Sequence, residues 1–344
     1  MSALLAGGAL LAAVMLASWA GTGGLRRYAL KRSLIDIPNA RSSHSTPTPR
    51  GGGVAIVLSF LAGGVAGASA GLLEIGVLAA VGGAGTLVAL IGFADDHGHV
   101  PPSWRLLVHF AAALLVLGGL DVLEPMLAAR DGAYYWAAWA LAALGLVWGL
   151  NLYNFMDGID GIAGVEAICV CAGACLLYWL EGRAELMLMP LLVVAAVAGF
   201  LWWNFPPAKI FMGDAGSGFL GIVIGSLALQ AGAIDLDWLW AWVILLGVFV
   251  VDATWTLLRR LLRGVRVHEA HRSHAYQRAA RRLGRHGPVT LGVGAINLLL
   301  LLPIALMVGT GQLSAWFGLA LAYAPLLAAA VALDAGSAET RESP

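Results

Sequence analysis

The sequence predicts an all-α, polytopic integral membrane protein. Of its 344 residues, 60% are hydrophobic and 12% are charged, whereas a soluble domain carries about a quarter charged residues. Long apolar runs repeat along the chain, and the basic residues gather in alternate loops between them. These observations indicate one transmembrane domain over residues 1–333, followed by a short, polar and mobile cytoplasmic tail at 334–344.

About eleven apolar runs are long enough to cross a bilayer as helices. No basic residue precedes the first run, which favours a retained helix with its N-terminus outside over a cleaved signal peptide. An odd number of crossings then places the C-terminus in the cytoplasm. The runs lie at 3–22, 52–71, 75–93, 104–120, 135–152, 162–180, 186–203, 216–233, 238–258, 289–309 and 313–333.

The distribution of basic residues gives an independent test of this topology. If loop 23–51 is cytoplasmic, 18 of the 20 Lys and Arg residues lie inside, and only Arg130 and Arg183 lie outside, as the positive-inside rule requires. The same topology puts four polar clusters on the cytoplasmic side and predicts one composite active site at that face. These clusters are Asp95–Asp96, Asn151–Gly161, Asn204–Asp214 and the basic loop 259–287.

The stretch Asn151–Gly161 is the richest of these clusters. Asn151, Asn154 and Asp157 are spaced i, i+3, i+6, so on a helix they share one face. Oxygen ligands on one face suit a hard cation such as Mg²⁺, and Gly158 and Gly161 permit turns or close approach. A helix end with caps and a turn is the alternative, and it accounts for only part of the set.

Asp95 and Asp96 follow the third apolar run. Adjacent carboxylates repel each other, and a cation or metal-bound polyphosphate relieves that repulsion. Adjacent residues on a helix point about 100° apart, so the two carboxylates are expected to have different roles. A solvated helix end is the alternative, although acidic residues there oppose the helix dipole.

Residues 211–218 precede the eighth run. Asp214 could serve as the N-cap of that helix, and Gly216 and Gly218 allow the backbone to approach a phosphate closely. A glycine-rich turn is the alternative. In the first loop, Arg50 precedes a triple glycine at 51–53, which suits an anion or an ordinary connector.

Loop 259–287 is the most basic segment. His268, His271 and His274 have a spacing that could bind zinc, but no fourth ligand accompanies them. Binding of anionic phosphates by His and Arg side chains is favoured. Nucleic-acid binding is not expected, because the segment is tethered to the membrane and has few interleaved aromatic residues.

These clusters, in this order, resemble the polyprenyl-phosphate N-acetylhexosamine-1-phosphate transferases (glycosyltransferase family 4). The resemblance extends from Asp36 to about Arg282. It depends on Asn151-xx-Asn154-xx-Asp157-Gly158 together with Phe211-xx-Asp214. The segment His271–Gln277 is most similar to the undecaprenyl-phosphate branch that starts O-antigen synthesis and handles 6-deoxy-N-acetylhexosamines.

The resemblance implies a multi-pass enzyme of the bacterial inner membrane that acts in lipopolysaccharide O-antigen or other cell-envelope polysaccharide synthesis. Its partners would be undecaprenyl phosphate, a UDP-N-acetylhexosamine and membrane lipid, and a homodimer is left open. Asp214 and Asn154 would ligate Mg²⁺, with Mn²⁺ as the alternative ion. Asp95, Asp96 and Asp157 are the catalytic candidates, with Asp95 orienting or activating the lipid phosphate.

The resemblance also assigns substrate contacts. Family members often have a Lys or Arg shortly after the acidic pair, where this chain has His97 and His99, and Arg105 is the nearest guanidinium. Direct attack by the lipid phosphate is favoured, and a covalent phospho-aspartyl intermediate is the alternative. The assigned contacts are Phe211 with the uracil, Arg272, His271 and His274 with the diphosphate, Asn151, Asp157 and Asn204 in the nucleotide-sugar pocket, and Arg50 and Arg105 with substrate.

Two other classes of membrane protein are alternatives. A transporter or flippase for an anionic lipid or sugar would place ionisable residues within its spans, and Asp252 and Glu166 are the candidates. A CDP-alcohol phosphotransferase would continue its first Asp-Gly with two further regularly spaced Asp residues. The segment after Asp157-Gly158 does not continue in that way.

Overall fold

The computed structural model describes residues 2–38, 46–98, 100–123, 132–265 and 271–338. These residues form a bundle of α-helices and one two-residue antiparallel ladder between β1 (Ile35–Asp36) and β2 (Thr48–Pro49). The helices are α1 (Ser2–Arg32), α2 (Gly53–Ser69), α3 (Ile75–His97), α4 (Pro102–Leu120), α5 (Ala133–Phe155), α6 (Ile162–Leu180), α7 (Leu188–Asn204), α8 (Asp214–Ile234), α9 (Leu236–Leu245), α10 (Gly247–Leu262), α11 (Ala275–Leu283), α12 (Gly287–Ile296), α13 (Leu302–Gly309) and α14 (Ala315–Ala332). A short 3₁₀ helix (Ala184–Leu186) precedes α7, and a π-helical turn (Asn297–Leu301) joins α12 to α13.

The fold confirms the prediction of an all-α polytopic membrane protein. Within the described residues, eight helical segments are long and apolar enough to cross a membrane, and α9 with α10 adds a ninth if the bent pair counts as one span. Helices α2 and α7 coincide with two further predicted runs, but each has 17 residues and is only about 25 Å long. The inside and outside assignment stays a prediction.

Two elements differ from the expected boundaries. Helix α1 continues to Arg32, about ten residues beyond the predicted run, because backbone hydrogen bonding does not stop where apolar residues stop. Its basic end also complements the negative end of the helix dipole. The expected single helix at 238–258 is instead two helices bent by 72°, with Gly247 at the start of the second.

Helix α8 is the centre of the bundle and packs against α2, α3 and α5. Glycines make these contacts close. A Cβ on Gly92 of α3 would lie 2.6 Å from the backbone of Asp214, and one on Gly53 would lie 2.4 Å from Gly216 Cα. Small residues allow membrane helices to approach in this way, so the polar ends of α2, α3 and α8 meet at one end of the bundle.

The beginning of the predicted tail contacts the basic loop. Gly336 donates its N–H to Ser273 O at 2.9 Å, and Arg263 donates to Gly336 O at 2.7 Å. Residues 334–338 are therefore held against α10 and the segment before α11. Residues 339–344 lie outside the described part of the chain, as do His99, Arg130 and His268.

Candidate active site

Asp96 caps the N-terminus of α8. Its Oδ1 accepts from Asp214 N at 3.2 Å and its Oδ2 accepts from Ala215 N at 3.4 Å. A Cβ on Gly213, which has φ of 79°, would lie 2.5 Å from Asp96 Oδ2, so this position favours glycine. The expectation that Asp214 is the N-cap is wrong, because Gly213 holds that position and Asp214 is the first helical residue.

Asp95 points differently from its neighbour, as expected for adjacent helical residues. Its Oδ2 accepts from Arg105 Nη1 at 2.6 Å, and its Oδ1 accepts from Val100 N at 2.9 Å. The second nitrogen of the same guanidinium, Nη2, lies 3.1 Å from Asp214 Oδ2. One cation from α4 therefore joins the end of α3 to the start of α8.

Asn154 reaches this cluster from α5. Its Nδ2 donates to Asp214 Oδ1 at 3.0 Å and to Ser217 Oγ at 2.8 Å. Arg105, Asn154 and Asp214 line one narrow pocket. Ser217 is not among the residues predicted for the site, although its position three residues after Asp214 predicts that it shares the same helix face.

Asn151 lies one turn before Asn154. Its Nδ2 donates to Val147 O at 2.7 Å and lies 3.4 Å from His109 Nδ1. His109 is a second residue outside the predicted set. These contacts hold the Asn151 amide beside α4, and His109 itself lines the narrow pocket.

Asp157 lies beyond the helix, contrary to the predicted i, i+3, i+6 face. Helix α5 ends at Phe155, and Asp157 N instead closes a turn on Asn154 O at 3.2 Å. Burial raises the pKa of the Asp157 carboxyl, and the charges of Asp214, Asp96 and Asp160 raise it further. The turn therefore brings Asp157 toward the same carboxylate cluster by a different route.

Asn204 holds two loops together. Its Oδ1 accepts from Gly161 N at 3.0 Å, and its Nδ2 donates to Ile210 O at 3.0 Å. The side chain is only 3% exposed. Both ends of the amide bind backbone, so Asn204 positions the loops around the site. Its place in the nucleotide-sugar pocket stays a prediction.

Asp160, like Asn204, connects loops in the same region. Its Oδ2 accepts from Ala208 N at 3.0 Å, and its Oδ1 lies 3.1 Å from His286 Nδ1. Thr290 Oγ1 donates to Asp160 O at 2.7 Å. The loop after α5 is thus tied to the loop after α7 and to the start of α12.

Helix α11 is positioned by a carboxylate from α10. Asp252 Oδ1 accepts from Ala275 N at 2.8 Å and Oδ2 accepts from Tyr276 N at 3.0 Å. Tyr276 Oη in turn donates to Phe155 O at 3.0 Å. A Cβ on Gly158 would lie 2.1 Å from Tyr276 Oη, so the absence of a side chain at residue 158 lets α11 dock on the loop after α5.

The histidines of the basic loop have separate environments. His274 is 2% exposed, and its Nδ1 lies 3.4 Å from Asp252 Oδ1. His271 stacks on it with centroids 4.9 Å apart. Burial lowers the pKa of His271 to about 3, helped by the charges of His274 and Arg260.

His271 is therefore neutral near pH 7, and Arg272 carries the permanent positive charge of the predicted diphosphate contacts. The ring of His274 faces Asp252 and not the pocket. Among the described residues no three His, Cys, Asp or Glu side chains gather into a group that could hold a metal ion, and His268 lies outside those residues.

The first loop contacts the site through backbone hydrogen bonds and through the guanidinium of Arg50. Arg50 Nη2 donates to Asp96 O at 2.5 Å. Phe211 N donates to Pro49 O at 2.8 Å, and Gly52 N donates to Phe211 O at 2.9 Å. Arg50 and Phe211, which were expected to contact substrate, therefore lie on a paired segment beside the α8 terminus, and the Phe211 side chain is partly exposed.

The two carboxylates that a transporter would use are engaged elsewhere. Asp252 caps α11, and Glu166 Oε2 accepts from Asn297 Nδ2 at 2.6 Å. Both groups connect helices and give the transporter hypothesis no support.

Most residues of this site lie in a region of the chain that is similar to a known protein family. A family model described as glycosyl transferase family 4 matches residues 78–232. That range includes Asp95, Asp96, Arg105, Asn154 and Asp214, and it excludes the basic loop.

Three curated relatives illustrate the similarity. The chain is 29% identical over 259 residues to the probable undecaprenyl-phosphate N-acetylglucosaminyl 1-phosphate transferase of Bacillus subtilis (strain 168), covering 74% of this chain and 72% of the relative. It is 31% identical over 228 residues to the decaprenyl-phosphate N-acetylglucosaminephosphotransferase of Mycobacterium tuberculosis (strain ATCC 25618 / H37Rv), covering 61% of this chain and 56% of the relative. It is 43% identical over 118 residues to the phospho-N-acetylmuramoyl-pentapeptide-transferase of Geobacillus kaustophilus (strain HTA426), covering 34% of this chain and 35% of the relative.

Proposed function

Because the chain belongs to the family of polyprenyl-phosphate N-acetylhexosamine-1-phosphate transferases, we propose that it transfers a sugar 1-phosphate from a UDP-N-acetylhexosamine to undecaprenyl phosphate and releases UMP. The enzyme would work in the bacterial inner membrane with its site toward the cytoplasm. The product would start O-antigen or another cell-envelope polysaccharide, and a 6-deoxy-N-acetylhexosamine is one candidate donor, because His271–Gln277 resembles the branch that handles such sugars. The observation that carries the proposal is the convergence of Asp95, Arg105, Asn154 and Asp214 from four helices.

The donor groups of this cluster fit Mg²⁺. Asp214 and Asn154 would hold the ion, since Mg²⁺ in proteins is bound by one or two carboxylates, several waters and substrate phosphates. A cage made entirely of protein side chains is not needed, and the described residues contain none. When bound, the ion would polarise the diphosphate oxygens and neutralise charge that develops during transfer. Mn²⁺ accepts the same ligands.

The acceptor needs alignment more than a base. A phosphate monoester has a second pKa of about 6, so the lipid phosphate is mostly a dianion at neutral pH. In the proposed step, one of its oxygens attacks the β-phosphorus of the donor and forms a new P–O–P bond. The bond between the β-phosphorus and the bridging oxygen breaks, and UMP leaves with that oxygen and its electron pair.

The residues of this chain would orient both phosphates. Arg105 can donate to the acceptor dianion, and Asp95 holds the guanidinium in place. Both oxygens of Asp95 are already engaged, by Val100 N and by Arg105, which supports direct attack over a phospho-aspartyl intermediate. Arg272 would bind the donor diphosphate, with neutral His271 as a hydrogen-bonding neighbour.

The first experiment is an assay of UMP release by the detergent-purified protein. Undecaprenyl phosphate and a panel of UDP-N-acetylhexosamines, including 6-deoxy donors, are supplied with and without Mg²⁺. Release that requires lipid, donor and Mg²⁺ would support the proposal and identify the sugar. Folded protein that releases no UMP with any donor would refute it.

A further inference from the structure

An open apolar groove lies between α6 and α7, at the same end of the bundle as the candidate active site. Its volume is about 520 Å³, within the range of small-molecule sites. Ile168 of α6 lines one side, and Ala198 and Leu201 of α7 line the other. These side chains carry no polar atoms, so the walls fit a hydrocarbon chain.

Aromatic residues line the loop end of the groove. Trp202 is 70% exposed and Phe205 is 40% exposed, and both line the groove. Aromatic side chains are enriched where the hydrocarbon of a bilayer meets the headgroups. In a multi-pass membrane protein this end of the groove is therefore at headgroup depth, and the apolar walls extend from it toward the hydrocarbon.

Two cations stand at this end. Lys209 lines the groove and is exposed, and its Nζ lies 5.6 Å from the centre of the Trp203 ring. Arg26 Nε donates to the backbone oxygen of Lys209 at 3.2 Å, which holds a second guanidinium-bearing side chain against the segment that carries Lys209. In the described part of the chain neither side chain forms an ion pair with a carboxylate, so neither positive charge is neutralised by an acidic side chain there.

We propose that this groove binds an anionic glycerophospholipid of the bilayer, with an acyl chain between α6 and α7 and its phosphate at Lys209 and Arg26. Basic pockets between membrane helices on the cytoplasmic side are known to suit anionic headgroups. The polyprenyl acceptor is the less suitable occupant. Its phosphate has to reach Asp95 and Arg105, and none of the residues that line the narrow pocket there lines this groove.

Native mass spectrometry of the full-length protein in micelles tests the proposal. The micelles contain equal amounts of phosphatidylglycerol and phosphatidylcholine, which differ in headgroup charge, and retained lipid is counted. Wild type should retain phosphatidylglycerol preferentially. Lys209→Gln and Arg26→Gln should each lower that preference about fivefold, the effect expected for one basic residue near an anionic surface.

Two further variants make the result specific. Lys31→Gln removes the same charge from the exposed end of α1 and should leave the preference unchanged. Ala198→Trp fills the groove and should reduce retention of both lipids. Equal losses in Lys31→Gln and Lys209→Gln would overturn the proposal in favour of general surface charge.

Two more outcomes would also overturn it. An unchanged preference in both groove variants, Lys209→Gln and Arg26→Gln, would show that the phosphate lies elsewhere. Undecaprenyl phosphate that displaces phosphatidylglycerol from wild type, and binds less tightly to Lys209→Gln, would assign the groove to the acceptor chain.

Discussion

Asp95 and Asp214 lie on different helices and share one guanidinium, with Arg105 Nη1 2.6 Å from Asp95 Oδ2 and Nη2 3.1 Å from Asp214 Oδ2. Two carboxylates that approach each other repel unless a cation lies between them. In this structure Arg105 is that cation. A divalent ion held by Asp214 would take over part of this neutralisation and leave the guanidinium available to the acceptor phosphate.

Replacing Arg105 should therefore lower the catalytic activity of the protein. Arg105→Gln should lower kcat/KM about 100-fold or more, because the acceptor loses a charge-assisted donor. The kcat/KM of Arg105→Lys should lie between the values for wild type and Arg105→Gln. Lysine keeps the positive charge, but it cannot bridge two carboxylates with one planar group. UMP release at saturating donor measures both.

The same variant has a readout that does not depend on turnover. Without Arg105 the two carboxylates are less well neutralised, so Mg²⁺ should raise the Tm of Arg105→Gln more than it raises the Tm of wild type. An equal Mg²⁺-induced shift in the two proteins would contradict the view of Arg105 as the resident counter-ion.

Asp214→Asn and Asn154→Ala should each lower activity by orders of magnitude while the protein still inserts. Asp214→Asn removes the charge proposed to hold Mg²⁺, and Asn154→Ala removes donors to Asp214 and Ser217. Ser226→Ala is the control, since Ser226 is a buried α8 residue whose hydroxyl bonds only within its own helix, to Ile222 O. Full activity in either site variant would refute the metal assignment.

Gly158→Ala should impair the enzyme through α11. The new Cβ would overlap Tyr276 Oη, and overpacking of this kind costs about 1–3 kcal/mol. Displacement of α11 should raise KM for the UDP-sugar. Gly149→Ala is the matched control, because Gly149 lies in α5 with no neighbour within 4 Å of an added Cβ.

Tyr276→Phe gives the second half of this test. Removing the hydroxyl relieves the overlap, so Gly158→Ala should cost less in the Tyr276→Phe background than in wild type. Strictly additive effects on KM would argue against direct contact between the two residues.

Asp252→Ala should destabilise the segment that carries Arg272. Loss of a helix cap typically costs about 1 kcal/mol, and here the cap serves both Ala275 N and Tyr276 N. We expect a lower Tm and a higher KM for the donor. Asp235→Ala removes the cap of α9, and its KM should match wild type because α9 contributes nothing to the site.

The pH dependence of stability should reflect His271. Its pKa is lowered to about 3 from an ordinary value near 6.5, so between these values the unfolded chain binds more protons than the folded one. Stability is then present above about pH 6.5 and decreases as the pH falls. His271→Gln should show a smaller loss of Tm between pH 7 and pH 5, and an unchanged loss would contradict the buried, neutral imidazole.

Most of the architecture could be read from the sequence. The eleven apolar runs fall largely on helical residues, although the run 238–258 is divided between α9 and α10. Burial of an apolar stretch in a bilayer forces its backbone to bond within itself. The polar clusters could also be located in the sequence, because Asp, Asn and His side chains at the edge of an apolar run are costly unless they have a role. Their roles were less accessible, because a role depends on which atoms face each other.

The sequence by itself indicated the membrane class, the family resemblance and the residues from which the candidate site is built. Only the tertiary structure decided that Asp96 caps α8, that Arg105 joins Asp95 to Asp214, and that Asn204 and Asp252 hold loops and helices in place. The physical reason is that apolar run length and residue spacing are local properties of the chain. Contacts such as Asp96 with Ala215, or Gly158 with Tyr276, join residues more than a hundred positions apart and exist only once the helices have packed.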